Sequence, residues 1–431
     1  MFEHLAPPEQ MERARQVYQA ALAAPFYQKK YGHRPAPADP AAWRELPLLT
    51  RTELYDHAFP RSRDMLTRPV EGMIVSSTGG TSGVARYTVF THQEWDLFCR
   101  MQAGALELMG LEPADRVANL FVAGHLWPSF LGVHEALKMA GCVHLPISAN
   151  IPPPEIMRLC REFDPTVLLS LPTMLVFLAD LALKEGVEFP SLRLLGYAGE
   201  QMSSHAQAHV RRGLGVEEVK ALAYSSADCG LMGYQCHHCG FGTYHLPSGF
   251  QMLEVVDPDT LEPLEPGEQG EVLVTNLGRT SLPIIRYRIG DLAAFLSQPC
   301  PCGDPNPRFR LAGRAGEDFK LGGAYVCMAQ FERALSGFDQ LSPNFMVELE
   351  DVGNQMELRL KVESADPAAA RACDADLRQA LGRCIPEIPT GLELNYIRRL
   401  DIQYLELGSL PRNPNTGKVI RLKDLRVVEQ D

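Results

Sequence analysis

A run of small polar residues at positions 76–83 is the part of this chain best suited to bind an anion. It reads Ser76-Ser77-Thr78-Gly79-Gly80-Thr81-Ser82-Gly83 and lies between two apolar, strand-like runs. These residues offer almost no apolar surface for a core, but they can present successive backbone N–H groups and hydroxyl donors to a phosphate. An ordinary polar hairpin turn fits the same run. It therefore predicts a phosphate-binding loop only if the rest of the chain supplies the other groups of a nucleotide site.

Paired cysteines indicate a metal site. Cys236 and Cys239 enclose two histidines, and Cys300 and Cys302 flank a single proline. Two tight pairs of soft ligands suit a tetrahedral Zn²⁺, and four protein ligands would leave no open position, which is typical of a structural ion. Two unrelated sets of reduced cysteines are the alternative. We expect the four ligands to be Cys236, Cys239, Cys300 and Cys302, and His245 or His238 could replace Cys239.

Five further short motifs follow along the chain: Tyr197-Ala198-Gly199-Glu200, Tyr224-Ser225-Ser226-Ala227-Asp228, Tyr287-Arg288-Ile289-Gly290-Asp291, Gly313-Arg314 and Leu410-Pro411-Arg412-Asn413-Pro414-Asn415-Thr416-Gly417-Lys418. With the polar run, and in this order, they resemble the adenylate-forming acyl-CoA synthetase superfamily, and more narrowly its phenylacetate-CoA ligase-like branch. The resemblance spans about residues 70–421, nearly the whole chain. It implies that ATP activates a carboxylic acid as an acyl-adenylate, which then passes to the thiol of coenzyme A.

The resemblance assigns the polar run and one lysine to the phosphates. Ser77, Thr78 and the segment Gly79-Gly80-Thr81-Ser82-Gly83 would wrap the departing β- and γ-phosphates, and Lys418 would reach the carboxylate and the α-phosphate in the transition state. A carboxylate that attacks a phosphate brings two anions together, so cations and oriented donors are needed where the charge builds up. A lysine on a flexible stem suits this role, although alone it would be an ordinary surface residue.

The nucleoside is assigned in the same way. Asp291 would accept both ribose hydroxyls and Arg314 would support the same ribose; a surface ion pair is the alternative for these two residues. Four residues are assigned to the adenine: Gly199 and Glu200 beside the ring, Tyr224 stacked on it, and Ser225 next to Tyr224.

The chain departs from the pattern of the superfamily in three places. Asp228 stands where the family usually has a glutamate that binds Mg²⁺ directly or through water, so the ion would sit differently here. Val84-Ala85 replaces a common Lys/Pro pair and removes one phosphate-directed charge. Gly316 replaces a charged linker residue and remains a reasonable hinge, because glycine rotates through wide φ/ψ changes at little cost.

One histidine is a further candidate for the catalytic site. His125 lies near where related enzymes place an aromatic or histidine gate beside the acyl pocket. A purely structural histidine is the alternative interpretation.

Composition limits the partners and the location. The net charge of −12 argues against nucleic acid and anionic membranes as general partners. The first residues lack the basic and apolar pattern of a secretory signal, and 11 cysteines without such a signal suggest a reducing compartment. We therefore expect a cytoplasmic protein whose partners are a small carboxylic acid and coenzyme A.

Length and pattern predict the architecture. A chain of 431 residues suits two or three domains, and strand-like and helical runs alternate between residues 116 and 213, as in a layered α/β domain. We expect a large N-terminal α/β domain with a β-rich subdomain at 1–313, a hinge linker at 314–320 and a small, mobile α+β C-terminal domain at 321–431. Four strands are predicted in the first layer, at 117–122, 143–146, 167–171 and 194–198, and single helices are predicted at 8–31 and 367–384.

The resemblance implies an AMP-forming acid–CoA ligase that uses ATP and Mg²⁺ and acts on an aromatic or arylacetic acid, and the paired cysteines add a structural Zn²⁺. One alternative passes the acyl group to a carrier-protein thiol or to an amine. Another is a zinc-stabilised nucleotide-binding protein with little catalysis, suggested by Asp228, Gly316 and the missing loop lysine.

Overall fold

The structure is a computed structural model that describes residues 2–78, 86–314, 319–321, 324–352, 355–413 and 417–426. Several predicted residues lie outside these ranges: Gly79, Gly80, Thr81, Ser82 and Gly83 of the phosphate loop, the pair Val84-Ala85, and Gly316 of the linker. None of the helices in the described ranges has the length and apolarity needed to cross a bilayer.

Four short helices begin the chain: α1 (Pro7–Ala21), α2 (Pro25–Tyr31), α3 (Pro40–Arg44) and α4 (Arg51–His57). The single helix expected at 8–31 is therefore wrong. Pro25 has no backbone N–H and disfavours helical geometry in the residue before it, and Ala24 is accordingly extended, with φ −93° and ψ 129°. Helix α4 begins directly after Thr50, and Thr50 and Glu53 cap it reciprocally.

A hairpin and a long helix follow. Strands β1 (Met73–Ser77) and β2 (Tyr87–Thr91) pair antiparallel with Ser77 opposite Tyr87. Helix α5 (His92–Met109) starts directly after β2, where Thr91 and Glu94 form a second reciprocal cap. Gly110 ends the helix with φ 107°, a conformation that glycine adopts readily.

The first main layer is a parallel sheet. Its strands are β3 (Arg116–Asn119), β4 (Val143–Leu145), β5 (Val167–Ser170), β6 (Leu194–Tyr197) and β7 (Glu218–Ala221), in the order β4-β3-β5-β6-β7. Four helices connect them: α6 (Pro128–Ala140), α7 (Pro153–Phe163), α8 (Pro172–Glu185) and α9 (Ser204–Leu214). The four predicted strands are confirmed, and the motif that contains Gly199 follows β6 at the carboxyl edge, where open parallel sheets bind ligands.

The β-rich part consists of a hairpin and an antiparallel sheet. The hairpin strands are β8 (Tyr224–Ser226) and β9 (Gly230–Gly233). The sheet contains β10 (Thr243–His245), β11 (Gln251–Val256), β12 (Gly270–Asn276), β13 (Tyr287–Leu296) and β14 (Arg308–Arg314), in the order β10-β14-β13-β12-β11. Strand β14 pairs with β10 along one side and with β13 along the other.

The C-terminal part is a separate α+β unit. Its elements are β15 (Phe319–Leu321), β16 (Ala324–Val326), α10 (Met328–Leu335), β17 (Phe345–Val352), β18 (Gln355–Ser364), α11 (Pro367–Ala370), α12 (Asp374–Cys384), α13 (Glu387–Glu393), β19 (Ile397–Glu406) and β20 (Leu422–Asp424). The sheet order is β19-β18-β17-β20. The single helix expected at 367–384 is wrong, because a 3₁₀ turn at Arg371–Cys373 divides it.

This unit has its own core. Phe331 and Phe345 stack with their ring centroids 6.3 Å apart and pack with Phe319, Leu321 and other apolar residues of the C-terminal part. The described residues before Phe319 form other apolar clusters. The chain is thus a large α/β part followed by a smaller α+β part.

Candidate active site

Ser77 joins the hairpin to the segment that contains His125. The Ser77 N–H donates to the Leu126 carbonyl at 2.9 Å, and Ser77 Oγ donates to the His125 carbonyl at 2.6 Å. His125 and Leu126 have φ values of 50° and 62°, which non-glycine residues rarely adopt. The His125 ring is exposed and stacks on Trp127 with the centroids 5.0 Å apart. The predicted gate and the strand that leads into the predicted phosphate loop are therefore neighbours.

Thr78 and Arg86 close the base of the hairpin. The Thr78 N–H donates to the Arg86 carbonyl at 2.8 Å, and the Arg86 N–H donates to Thr78 Oγ1 at 3.0 Å. These two bonds bring together the ends of the segment that contains Gly79-Gly80-Thr81-Ser82-Gly83. They also fix the backbone position from which the Arg86 side chain extends.

The Arg86 guanidinium binds Asp228. Its Nε and Nη2 donate to the same oxygen, Asp228 Oδ2, at 3.1 and 2.7 Å. Asp228 is only 2% exposed, and its other oxygen, Oδ1, is buried and accepts no hydrogen bond from the residues that the structure describes. Burial opposes the charge on Arg86, but the neighbouring Asp228 outweighs this effect and raises the pKa of the guanidinium. The pair leaves one buried carboxylate oxygen ready to accept a cation or a donor.

Arg279 forms hydrogen bonds with the backbone of Asp228 and with strand β2. Its side chain is 2% exposed, Nη1 donates to the Asp228 carbonyl at 2.8 Å, and Nη2 donates to the Val89 carbonyl at 2.5 Å and to Thr88 Oγ1. Its guanidinium also lies over the Phe90 ring, 4.4 Å from the centroid. Burial lowers the pKa of Arg279. This arginine ties strand β2 to the segment that contains Asp228.

Asp291 is bound on both sides. The Tyr224 hydroxyl donates to Asp291 Oδ2 at 2.6 Å, and Arg314 Nε donates to Oδ1 at 2.7 Å. Burial, followed by the adjacent Asp291, raises the pKa of Tyr224, so its hydroxyl keeps its proton and acts as the donor. A carboxylate has about four lone-pair sites, so two remain for further donors such as ribose hydroxyls. The three predicted nucleoside residues thus form one cluster, and Ser225 lies beside them in β8.

Lys418 reaches the edge of the parallel sheet. Its Nζ donates a hydrogen bond to the Gly199 carbonyl, although the two residues are 219 positions apart. Gly199 has φ 83°, and a Cβ at this position would lie 3.0 Å from Leu171 Cδ2, so a side chain would be strained there. Next to it, Glu200 Oε2 is buried without a hydrogen-bond partner in the described part of the chain. The predicted lysine and the predicted adenine segment are therefore in contact.

Four potential metal ligands gather in the β-rich part: Cys236, His245, Cys300 and Cys302. Their ligand atoms all lie within 4.8 Å of one another. Cys236 Sγ is 3.6 Å from Cys300 Sγ, close to the separation of about 3.8 Å for two sulfurs each about 2.3 Å from one tetrahedral ion. Cys239 Sγ is also 3.6 Å from Cys236 Sγ, but Cys239 is not one of these four.

The hydrogen bonding of His245 suits a metal ligand. Its Nδ1 lies 3.3 Å from the Asn306 carbonyl, which can only accept, so the ring proton is on Nδ1. Nε2 therefore carries the lone pair, and it faces Cys302 Sγ at 3.5 Å. Burial lowers the pKa of His245, so its ring is neutral at neutral pH. A second-sphere carbonyl of this kind commonly orients a metal-binding histidine.

Two thiols of this cluster, those of Cys236 and Cys302, are protonated without an ion. Burial raises the pKa of Cys236 to about 11 and that of Cys302 to about 12. Burial opposes the charge on Cys300 as well, but hydrogen bonds with Cys302 and Cys236 outweigh it and lower the pKa of Cys300. A metal that binds here must displace protons, because the thiolate is the ligand.

Sequence reasoning missed two arginines of the site. Arg86 comes directly after the Val84-Ala85 departure, so a cation next to the position of the lost lysine was the available signal. Arg279 precedes the Tyr287-Arg288-Ile289-Gly290-Asp291 motif, and only burial reveals its contacts.

Comparison with known proteins finds relatives that match along nearly the whole chain. The family model described as AMP-binding enzyme matches residues 152–280. A phenylacetate-coenzyme A ligase of Thermus thermophilus is 27% identical over 429 residues, which cover 93% of this chain and 92% of the relative. The corresponding ligase of Escherichia coli is 26% identical and is covered to 90%.

Solved structures give the same result for the fold. A 2-hydroxyisobutyryl-CoA ligase in its postadenylation state, in complex with 2-HIB-AMP, superposes with a TM-score of 0.82 at 21% identity, covering 97% of this chain and 89% of that one. The same enzyme in its thioesterification state, with 2-HIB-AMP and CoA, gives a TM-score of 0.67 at 22% identity, covering 96% and 88%.

The chain is therefore similar to phenylacetate-coenzyme A ligases along nearly its whole length, contains a match to the AMP-binding enzyme family, and shares the fold of a solved acyl-CoA ligase.

Proposed function

We propose that the protein is an AMP-forming acid–CoA ligase. In the first step a carboxylate oxygen of the acid attacks the α-phosphorus of ATP, and the bond to the β-phosphate breaks to release pyrophosphate. In the second step the sulfur of coenzyme A attacks the acyl carbon, AMP leaves, and the thiol proton passes to solvent. The relatives named phenylacetate-coenzyme A ligase support this activity.

The contact of Lys418 with Gly199 is the observation that carries the proposal. It brings a cation from the C-terminal part to the segment assigned to the adenine, beside the sheet edge at which open parallel sheets bind ligands. We assign Lys418 to the charge that develops between the carboxylate and the α-phosphate, where a positioned cation lowers the barrier most. A binding protein without catalysis would not require a lysine at this point.

The nucleoside roles are assigned to the cluster around Asp291. Asp291 would accept the ribose hydroxyls on its remaining lone pairs, with Tyr224 and Arg314 holding the carboxylate in place. The buried, unpartnered Glu200 Oε2 offers an acceptor for an adenine amino group, with Gly199 and Ser225 beside the base.

Asp228 fits a magnesium ion through its free oxygen. Magnesium prefers carboxylate oxygens and phosphates, and Asp228 Oδ1 is a buried carboxylate oxygen without a hydrogen-bond partner among the described residues. When bound, the ion would neutralise charge on the phosphates. We assign Arg86 the role of orienting Asp228, so that Oδ2 is held and Oδ1 is presented. Ser77, Thr78 and the segment from Gly79 to Gly83 remain assigned to the β- and γ-phosphates.

A structural zinc ion is proposed at Cys236, His245, Cys300 and Cys302. The spacing of the ligand atoms and the lone pair on His245 Nε2 support this set of ligands. Cys239 then serves as a neighbour that donates its N–H to the Cys236 carbonyl at 3.0 Å. Four protein ligands close the coordination shell, so the ion would stabilise the fold and take no part in the reaction.

The acid is proposed to be aromatic or arylacetic, as the names of the curated relatives suggest, with His125 as the gate beside it. The boundary between the units is proposed at 314–320, with residues 1–313 as the adenylation domain and 321–431 as the mobile domain. We propose a cytoplasmic location.

The experiment is pyrophosphate release on a panel that includes phenylacetate, benzoate and 2-hydroxyisobutyrate, followed by the product mass with coenzyme A present. Pyrophosphate release and an acyl-CoA mass are expected with at least one acid. If pyrophosphate is released but the only product is an acyl amide or an acylated carrier protein, the acceptor is an amine or a carrier-protein thiol and not coenzyme A. Absence of release with every acid would overturn the enzymatic proposal.

A further inference from the structure

We propose that Asp180 and His209 are positioning residues for the first half-reaction, because they dock the C-terminal unit in the arrangement that brings Lys418 to Gly199. This inference rests on the proposed function. It concerns a buried polar network, made of Asp180, His209 and Ser342, that none of the motifs above includes.

The network crosses from one unit to the other. His209 Nε2 lies 2.8 Å from Asp180 Oδ1, and Ser342 Oγ donates to Asp180 Oδ2 at 2.8 Å. Asp180 and His209 belong to α8 and α9 of the large part, whereas Ser342 precedes β17 of the C-terminal unit. The three residues are 6%, 3% and 2% exposed. A buried carboxylate requires partners, and here one of them comes from the other unit.

The protonation of His209 follows from its second neighbour. Arg212 Nη2 lies 3.3 Å from His209 Nδ1, and a guanidinium has only donors, so Nδ1 accepts and the ring proton is on Nε2. His209 therefore donates to Asp180. Arg212 also donates to Asp339 Oδ1 at 2.7 Å, which adds an exposed contact between the units at the rim of the network.

The same face of α8 also contacts the segment that leads to Lys418. Phe177 lies one helical turn before Asp180, so the two side chains share a face. A Cβ placed on Gly408 would lie 3.0 Å from Phe177 Cζ, and the Arg412 guanidinium lies 5.4 Å from the Phe177 ring centroid. Docking through Asp180 thus fixes the position of the segment that carries the lysine.

A polar contact suits a unit that must separate again. Interfaces between mobile domains are more polar than permanent ones, because polar groups regain hydrogen bonds with water when they part. The 2-hydroxyisobutyryl-CoA ligase has been solved in a postadenylation state and in a thioesterification state. This chain superposes on the postadenylation state with a TM-score of 0.82 and on the thioesterification state with a TM-score of 0.67. The network therefore belongs to an arrangement that resembles the postadenylation state, and we expect it to contribute nothing to the thioesterification state.

Ser342→Ala tests the proposal, because it removes the hydrogen bond between the units and leaves Asp180 paired with His209. It also removes one bond within the C-terminal unit, which Ser342 Oγ accepts from the Asn344 N–H at 3.2 Å. We expect acyl-adenylate formation to slow about tenfold, the factor that about 1.4 kcal/mol represents. Thioester formation from presynthesised acyl-adenylate should stay within twofold of wild type, on the order of the error of such rates. Ser342→Thr keeps the hydroxyl and should restore the first step.

Ser364→Ala is the matched control. Ser364 is equally buried at 2% exposure, but its Oγ donates to the Gln340 carbonyl at 2.8 Å within the C-terminal unit. It should change stability and leave the ratio of the two half-reactions unchanged.

Hydrogen-exchange mass spectrometry of the full chain supplies a readout that does not depend on activity. Ser342→Ala should increase exchange in the peptides that cover 172–185 and 338–344, and Ser364→Ala should not do so in 172–185. Equal loss of both half-reactions, or unchanged exchange in 172–185, would overturn the proposal. If the wild-type protein forms no acyl-adenylate with any acid, the proposed function is wrong and the positioning role is wrong with it. The hydrogen-exchange result would still show whether the two units dock through this network.

Discussion

Arg86 and Asp228 form an ion pair in which two guanidinium nitrogens share one carboxylate oxygen, at 3.1 and 2.7 Å. The pair joins the base of the β1–β2 hairpin to the segment between β8 and β9. The second oxygen of Asp228 has no hydrogen-bond partner in the described residues. A buried carboxylate oxygen normally has a partner, so this one is suited to bind a cation.

Removing Arg86 should destabilise the protein, and an additional change at Asp228 should reverse much of the loss. In Arg86→Ala an unpaired charge stays buried, which costs about 3–5 kcal/mol. The double variant Arg86→Ala/Asp228→Asn has no such charge and should unfold at a higher temperature than Arg86→Ala. Thermal denaturation measures both, with Asp228→Asn alone as the control. Identical midpoints for Arg86→Ala and the double variant would contradict a stabilising pair.

Asp291→Ala should weaken the binding of ATP and AMP by the same factor, because both contain the ribose. Loss of hydrogen bonds to a charged group should cost about 1.5–3 kcal/mol of binding free energy. Tyr224→Phe removes one neutral donor to Asp291 and serves as the milder comparison. Calorimetric titration with AMP measures the change, and an unchanged AMP affinity in Asp291→Ala would rule out the ribose assignment.

Lys418→Ala should affect only the first half-reaction. The loss of one positioned charge donor should slow acyl-adenylate formation by about two to three orders of magnitude. Thioester formation from presynthesised acyl-adenylate should be nearly unchanged, because the lysine has no role in that step. Lys423→Ala is the control, since Lys423 lies in the same unit with a side chain that is 51% exposed. Single-turnover rates decide the matter, and an equal loss in both steps would refute the assignment.

Zinc content should separate the four proposed ligands from Cys239. Roughly one zinc ion per chain is expected for wild-type protein purified without chelator. Cys300→Ser and His245→Ala should lose the ion and unfold at lower temperature, whereas Cys239→Ser should keep it. Elemental analysis gives the answer, and a metal-free wild-type chain would remove the site altogether.

Local patterns predicted much of the fold. The four strands from β3 to β6 are short, apolar and separated by helices, so period and length were sufficient to find them. Strand β7 was not predicted, because two of its four residues, Glu218 and Lys220, are charged. The break between α1 and α2 could have been predicted from Pro25, but the 3₁₀ turn before α12 has neither glycine nor proline to indicate it.

The residues of the candidate site that belong to a short sequence motif could be predicted. The contacts between residues that are far apart in the sequence could not. Asp291 and Arg314 came from motifs that resemble a known superfamily. The choice of His245 over Cys239 depends on which atoms converge, and spacing along the chain does not determine that. The contact of Asp180 with Ser342 joins residues 162 positions apart, and no local pattern indicates it.

The residues assigned to the nucleotide come from separate elements: Ser77 in β1, Tyr224 in β8, Asp291 in β13, Arg314 in β14 and Lys418 in the C-terminal unit. A ligand that contacts all of them binds only when each of these elements is folded at the same time. Its binding therefore raises the free energy of unfolding of all these elements together, by about 2.7 kcal/mol at a free ligand concentration about 100 times Kd. ATP would thus couple regions of the chain that have separate apolar cores, and the ligand-free protein should lose its C-terminal unit at a lower temperature than the ATP complex does.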